Sequence, residues 1–121
     1  MRLQGYCLNE KMKIYPEYNA ALITLSQDEL IRFNYENGDA EGFVNIPLSI
    51  KEVIFSVFMR EDPDKIKISF RSQGTFPANK VSADLFNGGG HLNAAGGESY
   101  TTLEEAVRKF EEALDDYKDF L

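Results

Sequence analysis

The chain has 121 residues, of which 43% are hydrophobic and 12% aromatic, so it can build a hydrophobic core and is not intrinsically disordered. The 13 basic and 20 acidic residues give a net charge of −7. This charge argues against a broad duplex-binding surface, because phosphate neutralisation needs many clustered Lys and Arg side chains. We expect a single domain that covers residues 1–121.

The single cysteine and the hydropathy pattern indicate the compartment. Cys7 cannot form an internal disulfide, which is typical of a reducing environment. No apolar run approaches the roughly 18–20 residues that a membrane span needs, and the first residues lack the apolar core of a signal peptide. We therefore expect a soluble, cytoplasmic protein without a membrane partner.

The N-terminal part of the chain predicts a helix, a buried strand and a second helix. Residues 1–15 carry apolar side chains at spacings that favour a helix. The short apolar run Ala20–Leu25 predicts a buried strand. A capping box at residues 26–29 begins a helix that extends to about Tyr35, and residues 37–39 have the turn formers that would end it.

The centre of the chain predicts a β-hairpin followed by a helix. Residues 53–59 are nearly continuously apolar, as expected of a strand covered on both faces, and residues 61–64 form a turn. The next strand alternates, with Ile66, Ile68 and Phe70 on one face and Lys65, Lys67, Ser69 and Arg71 on the other. Residues 77–86 fit a helix whose apolar positions are Val81, Ala83, Leu85 and Phe86.

The most regular predicted element is a C-terminal helix. Thr102 and Glu105 form a capping box at its start. We interpret its acidic outer face as solvated rather than as a partner surface. Together the elements predict an α+β fold, a small mixed β-sheet with helices packed against it. The apolar residues of this last helix recur every three or four positions and are Leu103, Ala106, Val107, Phe110, Ala113, Leu114 and Tyr117.

Residues 87–97 contain five of the nine glycines and the only histidine, His91. Three consecutive glycines lose much backbone entropy on folding, which favours a role that needs positive φ or close approach, such as an anion held by backbone N–H groups. A helical turn at residues 91–95 would add its free N–H groups to this site, with His91 and Asn93 as side-chain donors. The alternative is a plain tight turn with an exposed histidine.

Arg71 is the second candidate for anion binding. A guanidinium recognises phosphate through two parallel hydrogen bonds, which Lys cannot do, although Arg71 taken alone fits an ordinary surface arginine. Because the helix at 77–86 returns the chain to the glycine stretch, both candidates could face one crevice. The sequence offers neither a Ser–His–Asp set nor a metal-ligand cluster. We therefore assign no catalytic residue and no metal ligand, and expect this chain to bind a phosphate without breaking a bond.

One motif of the chain resembles a family signature. The run Gly88-Gly89-Gly90-His91-Leu92-Asn93-Ala94-Ala95-Gly96 is similar to the GGGHxxAAG signature of the DHHA1 domain, the C-terminal domain of DHH-family phosphoesterases. The strand that ends in Arg71 and Ser72 and the segment 42–48 extend the resemblance over essentially the whole chain. The likeness is greatest to the bifunctional oligoribonuclease and pAp phosphatase group, often called exopolyphosphatase-related. Asn87 stands where a fourth glycine is common.

The resemblance implies a substrate-binding domain for nucleic acid or nucleotide phosphate. It also implies an N-terminal DHH domain that holds two Mn²⁺ ions, so this chain would be part of a longer protein, inactive alone and without its own cofactor. The expected substrates of the whole enzyme are short oligoribonucleotides or pAp, and a homodimer is an open expectation. The implied contacts to phosphate or nucleotide are Arg71, Ser72, Gly88, Gly89, Gly90, His91 and Asn93.

Two alternatives stay open on the same fold. The substrate could be polyphosphate or pyrophosphate, or the domain could be a nucleic-acid-binding module without a catalytic partner. A base-stacking aromatic near the glycines would favour a nucleotide over polyphosphate, and Phe76 and Phe86 are the candidates, although a core position fits each of them better.

Overall fold

The computed structural model describes residues 5–34 and 42–121, in which six strands form one mixed sheet with the order β1-β2-β3-β4-β6-β5. Strands β2 and β3 are parallel, and the other neighbouring strands are antiparallel. The α+β prediction is confirmed. The strands are β1 (Lys13–Tyr15), β2 (Ala20–Leu25), β3 (Phe55–Glu61), β4 (Ile66–Ser72), β5 (Gly89–His91) and β6 (Ala94–Ser99), and the helices are α1 (Gln27–Arg32), α2 (Ala78–Leu85) and α3 (Leu103–Ala113).

Helices α2 and α3 cover one face of this sheet. The larger core lies there, where aromatic side chains of the strands meet those of the helices. Phe55 of β3 stacks in parallel on Phe70 of β4, and Phe110 of α3 contacts Phe55 from above the sheet. All three side chains are almost completely buried.

The second face of the sheet is covered only in part. A π-helical turn (Cys7–Lys11) and a 3₁₀ segment (Phe43–Ser49) lie over β2 and β3, where they bury a smaller core around Ile23 and Phe58. Over β4, β6 and β5 the side chains of this face are exposed or half-buried. We call this part of the sheet the open face, and its residues are Lys67, Ser69, Arg71, Gly89, His91, Ala94, Gly96 and Glu98.

The N-terminal segment departs from the predicted helix. Residues 7–11 are helical, but Lys13–Tyr15 form β1 and pair antiparallel with β2. The prediction is wrong for these three residues because pairing with a distant strand satisfies their backbone groups. Glu111 of α3 also fixes them, since its carboxylate accepts hydrogen bonds from Lys13 at 2.9 Å and from Tyr15 at 2.5 Å.

The other predicted elements are confirmed with shifted boundaries. The capping box of α1 is present, with both bonds between Ser26 and Glu29, whereas Tyr35 and the turn at 37–39 lie outside the described residues. In α2 the predicted position Val81 is buried, but the next buried residue is Ser82 rather than Ala83, because the Ser82 hydroxyl donates to the Gly96 carbonyl at 2.7 Å. No helix in the two described ranges is long and apolar enough to cross a membrane.

Candidate functional site

The glycine stretch folds as a β-hairpin. Strands β5 and β6 are joined by the two-residue turn at Leu92 and Asn93, with His91 paired to Ala94 and Gly90 paired to Ala95. The predicted helical turn at residues 91–95 is wrong, and with it the expected N–H groups of a helix N-terminus. Antiparallel pairing satisfies backbone groups that an isolated helical turn would leave free.

Three of the glycines are required by the packing of the hairpin. A Cβ atom at Gly88 would lie 2.0 Å from the carbonyl oxygen of Gly96, and one at Gly97 would approach the carbonyl oxygen of Phe86 to 2.6 Å. Gly90 has a φ of +142°, and its Cβ atom would lie 2.7 Å from the Cα atom of Ala95. These distances leave no room for a side chain, so the three glycines serve the fold itself.

The other two glycines of the hairpin are not required in this way. A Cβ atom at Gly89 would meet nothing within 4 Å, and one at Gly96 would meet only the carbonyl oxygen of Ile68, at 3.7 Å. Neither glycine has a positive φ. Both lie on the open face, where their exposed backbone is accessible from outside the chain.

Arg71 and His91 are in one row across the open face. Arg71 of β4 pairs with Ala94 of β6, which pairs with His91 of β5. Directly paired residues direct their side chains to the same face of a sheet, so these three side chains leave it on one side. Two strand spacings place the Cα atoms of Arg71 and His91 about 10 Å apart, within the combined reach of the two side chains. The predicted proximity of Arg71 to the glycine stretch is therefore observed.

The charge of Arg71 is not neutralised by an acid of the described residues. Its side chain is half-buried, and Nη1 donates to the carbonyl oxygens of Phe70 at 2.8 Å and Ala95 at 3.4 Å. Elsewhere on the sheet, Lys65 pairs with Glu98 at 2.9 Å, but none of the ion pairs formed within residues 5–34 and 42–121 includes Arg71. A partly desolvated cation without a counter-ion favours an anion from outside the chain.

Ser72 and Asn93 lie apart from this row. Ser72 is buried on the α2 side of the sheet, and its hydroxyl donates to the carbonyl oxygen of Phe76 at 2.8 Å. The side-chain amide of Asn93 donates to the carbonyl oxygen and hydroxyl of Ser72, both at 3.0 Å, and to the carbonyl oxygen of Gly74 at 3.2 Å. These bonds tie the hairpin turn to the β4–α2 connection. A ligand contact by Ser72 or Asn93 stays a prediction.

Phe76 and Phe86 are 1% and 0% exposed and belong to the larger core. Neither can stack on a base, so these residues do not distinguish a nucleotide from polyphosphate. Ser56, the polar residue within the apolar run of β3, is not among the predicted site residues. Ser56 is the register partner of Arg71 and is fully buried, and its hydroxyl has no hydrogen-bond partner within residues 5–34 and 42–121. A single hydroxyl inside an otherwise apolar strand is a signal that could have identified it.

A metal ion has no suitable set of ligands in the described part of the chain. No three His, Cys, Asp or Glu side chains there are grouped so that they could hold one. The residues of the open face, with one imidazole and one carboxylate, are not a manganese site. A manganese pair would need ligands from other residues.

Comparison with known proteins identifies relatives that align with most of this chain. The chain is 34% identical over 92 residues to the bifunctional oligoribonuclease and PAP phosphatase NrnA of Bacillus subtilis. The aligned region covers 76% of this chain and 28% of that protein. The crystal structure of an exopolyphosphatase-related protein from Bacteroides fragilis is 60% identical with a TM-score of 0.95, over 98% of this chain and 35% of the other.

A more distant structure has the same fold. The pGpG-specific phosphodiesterase PggH from Vibrio cholerae is 17% identical with a TM-score of 0.67, over 98% of this chain and 38% of the other. The chain thus spans between 28% and 38% of the length of these three proteins. The family model of the DHHA1 domain matches residues 19–121, which include the sheet from β2 onward and the whole glycine hairpin, and the chain belongs to the DHHA1 domain family.

Proposed function

We propose that the open face binds the phosphate of a nucleotide or short oligoribonucleotide and is the substrate-binding part of a DHH-family phosphoesterase. The observation that carries this proposal is the half-buried guanidinium of Arg71, which has no acidic partner among the described residues and lies in one row with the exposed His91. Charge-assisted hydrogen bonds from a guanidinium are among the strongest that a protein offers to a phosphate.

The geometry suits a single phosphate better than an extended anion. Arg71 can present two parallel N–H donors, and the imidazole of His91 can add a third from the edge strand. Gly89 and Gly90, which precede His91, leave the backbone of that strand uncovered by side chains. The net charge of −7 does not oppose this site, because residues 101–121 carry −4 of it and α3, within that segment, packs on the other face of the sheet. Salt screens charges beyond roughly 8 Å at physiological ionic strength.

The proposed role of this chain is to bind and orient the substrate. In the whole protein, we propose that an N-terminal DHH domain holds the manganese ions, since the described residues of this chain do not provide their ligands. Bound metal ions of this kind activate a water molecule and stabilise the leaving oxygen. Holding the phosphate in one position next to such a centre contributes through proximity and orientation. We place the protein in the cytoplasm, and a homodimer stays a prediction.

The substrate class is proposed from the names of the relatives together with the site. The Bacillus subtilis relative is named an oligoribonuclease and PAP phosphatase, which supports short oligoribonucleotides and pAp. The Bacteroides fragilis relative is named exopolyphosphatase-related, which makes polyphosphate or pyrophosphate the second candidate.

Titration of the ¹⁵N-labelled chain with AMP, followed by NMR, tests phosphate binding. We expect chemical-shift changes at Arg71, at the glycine hairpin and at Ser69, and about tenfold weaker binding by Arg71→Ala, since a charge-assisted hydrogen bond contributes about 1.5–3 kcal/mol. Arg108→Ala is the matched control, because Arg108 is an exposed arginine of α3, the helix on the other face. Shift changes confined to other residues, or equal losses in the two variants, would refute the proposal.

A further inference from the structure

The turn of the glycine hairpin does not have the backbone conformation that two-residue hairpin turns favour. Such turns have a positive φ at one or both central residues, because only then does the turn follow the twist of the two strands. Neither Leu92 nor Asn93 has a positive φ. The local preference of these two residues therefore does not hold β5 against β6, and the turn depends on contacts from outside the hairpin.

Hydrogen bonds with the β4–α2 connection hold this turn. The backbone N–H of Ser72 donates to the carbonyl oxygen of Asn93 at 3.0 Å, and that of Ala78 donates to the carbonyl oxygen of Leu92 at 2.8 Å. The carboxamide of Asn93 adds three contacts, to the carbonyl oxygen and hydroxyl of Ser72 and to the carbonyl oxygen of Gly74. A substitution of Asn93 would remove these three contacts and leave the two backbone bonds in place.

The same contacts leave the carboxamide of Asn93 without a donor for a ligand. A carboxamide has two N–H donors, and three oxygen atoms of the chain share them here. Ser72, which supplies two of these oxygens, is buried on the α2 side of the sheet, whereas Arg71 and His91 lie on the open face. The side chain of Asn93 would have to break these bonds to reach a phosphate there. A role through position is therefore favoured over a direct contact.

His91 depends on the turn for its position. It directly precedes Leu92, and its backbone pairs with Ala94 across the hairpin. Its side chain is exposed, and within residues 5–34 and 42–121 no group forms a hydrogen bond with its imidazole. The guanidinium of Arg71, by contrast, donates to two carbonyl oxygens. A displacement of the turn would therefore move His91 and leave Arg71 in place.

From this arrangement we propose that Asn93 is a positioning residue, whose carboxamide fixes the hairpin turn so that His91 reaches a phosphate held at Arg71. The inference rests on the proposed function and deepens it, because it gives Asn93 a part in phosphate binding without contact with the ligand. Loss of the carboxamide lowers the affinity only through His91. Two residues that act as one in this way have non-additive effects on the free energy of binding.

A double-mutant cycle, measured by NMR titration with AMP, tests this role. We expect His91→Ala and Asn93→Ala each to weaken AMP binding about fivefold. The variant with both substitutions should bind AMP within about twofold of His91→Ala alone, because the imidazole that Asn93 positions is already absent. Leu92→Ala is the matched control from the same turn, since the Leu92 side chain makes none of these hydrogen bonds, and it should leave AMP binding unchanged.

The imidazole supplies a second readout, because His91 is the only histidine of the chain. At equal saturation with AMP, the shift of the imidazole ¹⁵N signals should be smaller in Asn93→Ala than in the original chain, whereas the shift at the backbone amide of Arg71 should remain. A merely structural role would not separate these two signals. Thermal melting is the folding control, and Ser72→Ala, which removes one of the three acceptors, replaces Asn93→Ala in the same cycle should that variant fail to fold.

The outcomes separate this inference from the function on which it rests. Losses that multiply to about 25-fold in the double variant, or no loss in either single variant of the cycle, overturn the positioning role. If Arg71→Ala still weakens AMP binding in that case, the phosphate site stands. If neither Arg71→Ala nor His91→Ala changes AMP binding, the proposed function fails and the positioning role fails with it.

Discussion

Substitution by alanine should change the free energy of unfolding very differently at two adjacent glycines of the hairpin, Gly90 and Gly89. In Gly90→Ala, a φ of +142° would be imposed on alanine, at a cost of about 1–3 kcal/mol. The new Cβ atom would also lie 2.7 Å from the Cα atom of Ala95 and 2.8 Å from the carbonyl oxygen of Ala94. Both are backbone atoms that cannot rotate away, and overpacking of this kind costs about 1–3 kcal/mol more. We expect a total loss of about 4 kcal/mol in the free energy of unfolding.

Urea and thermal unfolding, followed by far-UV circular dichroism, measure this loss. For a domain of this size, about 4 kcal/mol corresponds to a decrease of roughly 15 °C in Tm. Gly89→Ala, one residue earlier, should leave the free energy of unfolding within about 0.5 kcal/mol of its original value or raise it slightly, because nothing lies within 4 Å of its Cβ position. The assignment of packed and free glycines is refuted if Gly90→Ala unfolds like the original chain, or if both variants lose the same free energy.

Three further predictions concern buried or paired polar groups. Ser56→Ala removes a buried hydroxyl that has no hydrogen-bond partner in the part of the chain that the structure describes, so urea unfolding should show a gain of about 1 kcal/mol, and a loss would contradict the assignment. Burial raises the pKa of Cys7 to about 11, so its thiol should react with a disulfide reagent at pH 8 only after unfolding, and fast reaction of the folded chain would show that it is accessible. Hydrogen bonds from Tyr15 and then Lys13 lower the pKa of Glu111. A carboxylate with a lowered folded pKa stabilises the fold above its ordinary pKa, and this contribution is lost as the pH falls through the folded value. Glu111→Gln should therefore lower Tm at pH 7, and its Tm should converge with that of the original chain once the pH falls below the folded pKa of Glu111, whereas a difference in Tm that does not depend on pH would argue against the charge.

The sequence predicts the elements whose signals are local. Thr102 accepts a hydrogen bond from the N–H of Glu105 at 3.1 Å, and Phe110 is buried on the predicted apolar face of α3. Strand β1 has no such signal, because three residues acquire their structure from pairing with β2. The sequence pattern does not predict the β5–β6 hairpin, and the reason is different. Glycine has a low strand propensity, so a strand made of glycines is stabilised by its register with a neighbour rather than by its own composition.

The position of Arg71 beside the glycine hairpin is also predictable from the sequence. The alternation of residues 65–71 already assigns Arg71 to the polar face of β4, and the return of the chain through α2 brings the hairpin beside it. The same alternation separates Ser72 from Arg71, since successive residues of a strand direct their side chains to opposite faces. Which glycines pack and which are free depends on distances across strands, and no pattern along the chain contains that information.

The guanidinium of Arg71 is held in place by contacts within the chain itself. Two carbonyl oxygens, those of Phe70 and Ala95, restrain its position at 2.8 and 3.4 Å. A long flexible side chain that becomes ordered only on binding loses rotamer entropy at that moment, at about 0.5–1.5 kcal/mol. In this domain much of that entropy is lost when the sheet forms, so the phosphate binding that we propose at Arg71 requires little rearrangement of its side chain.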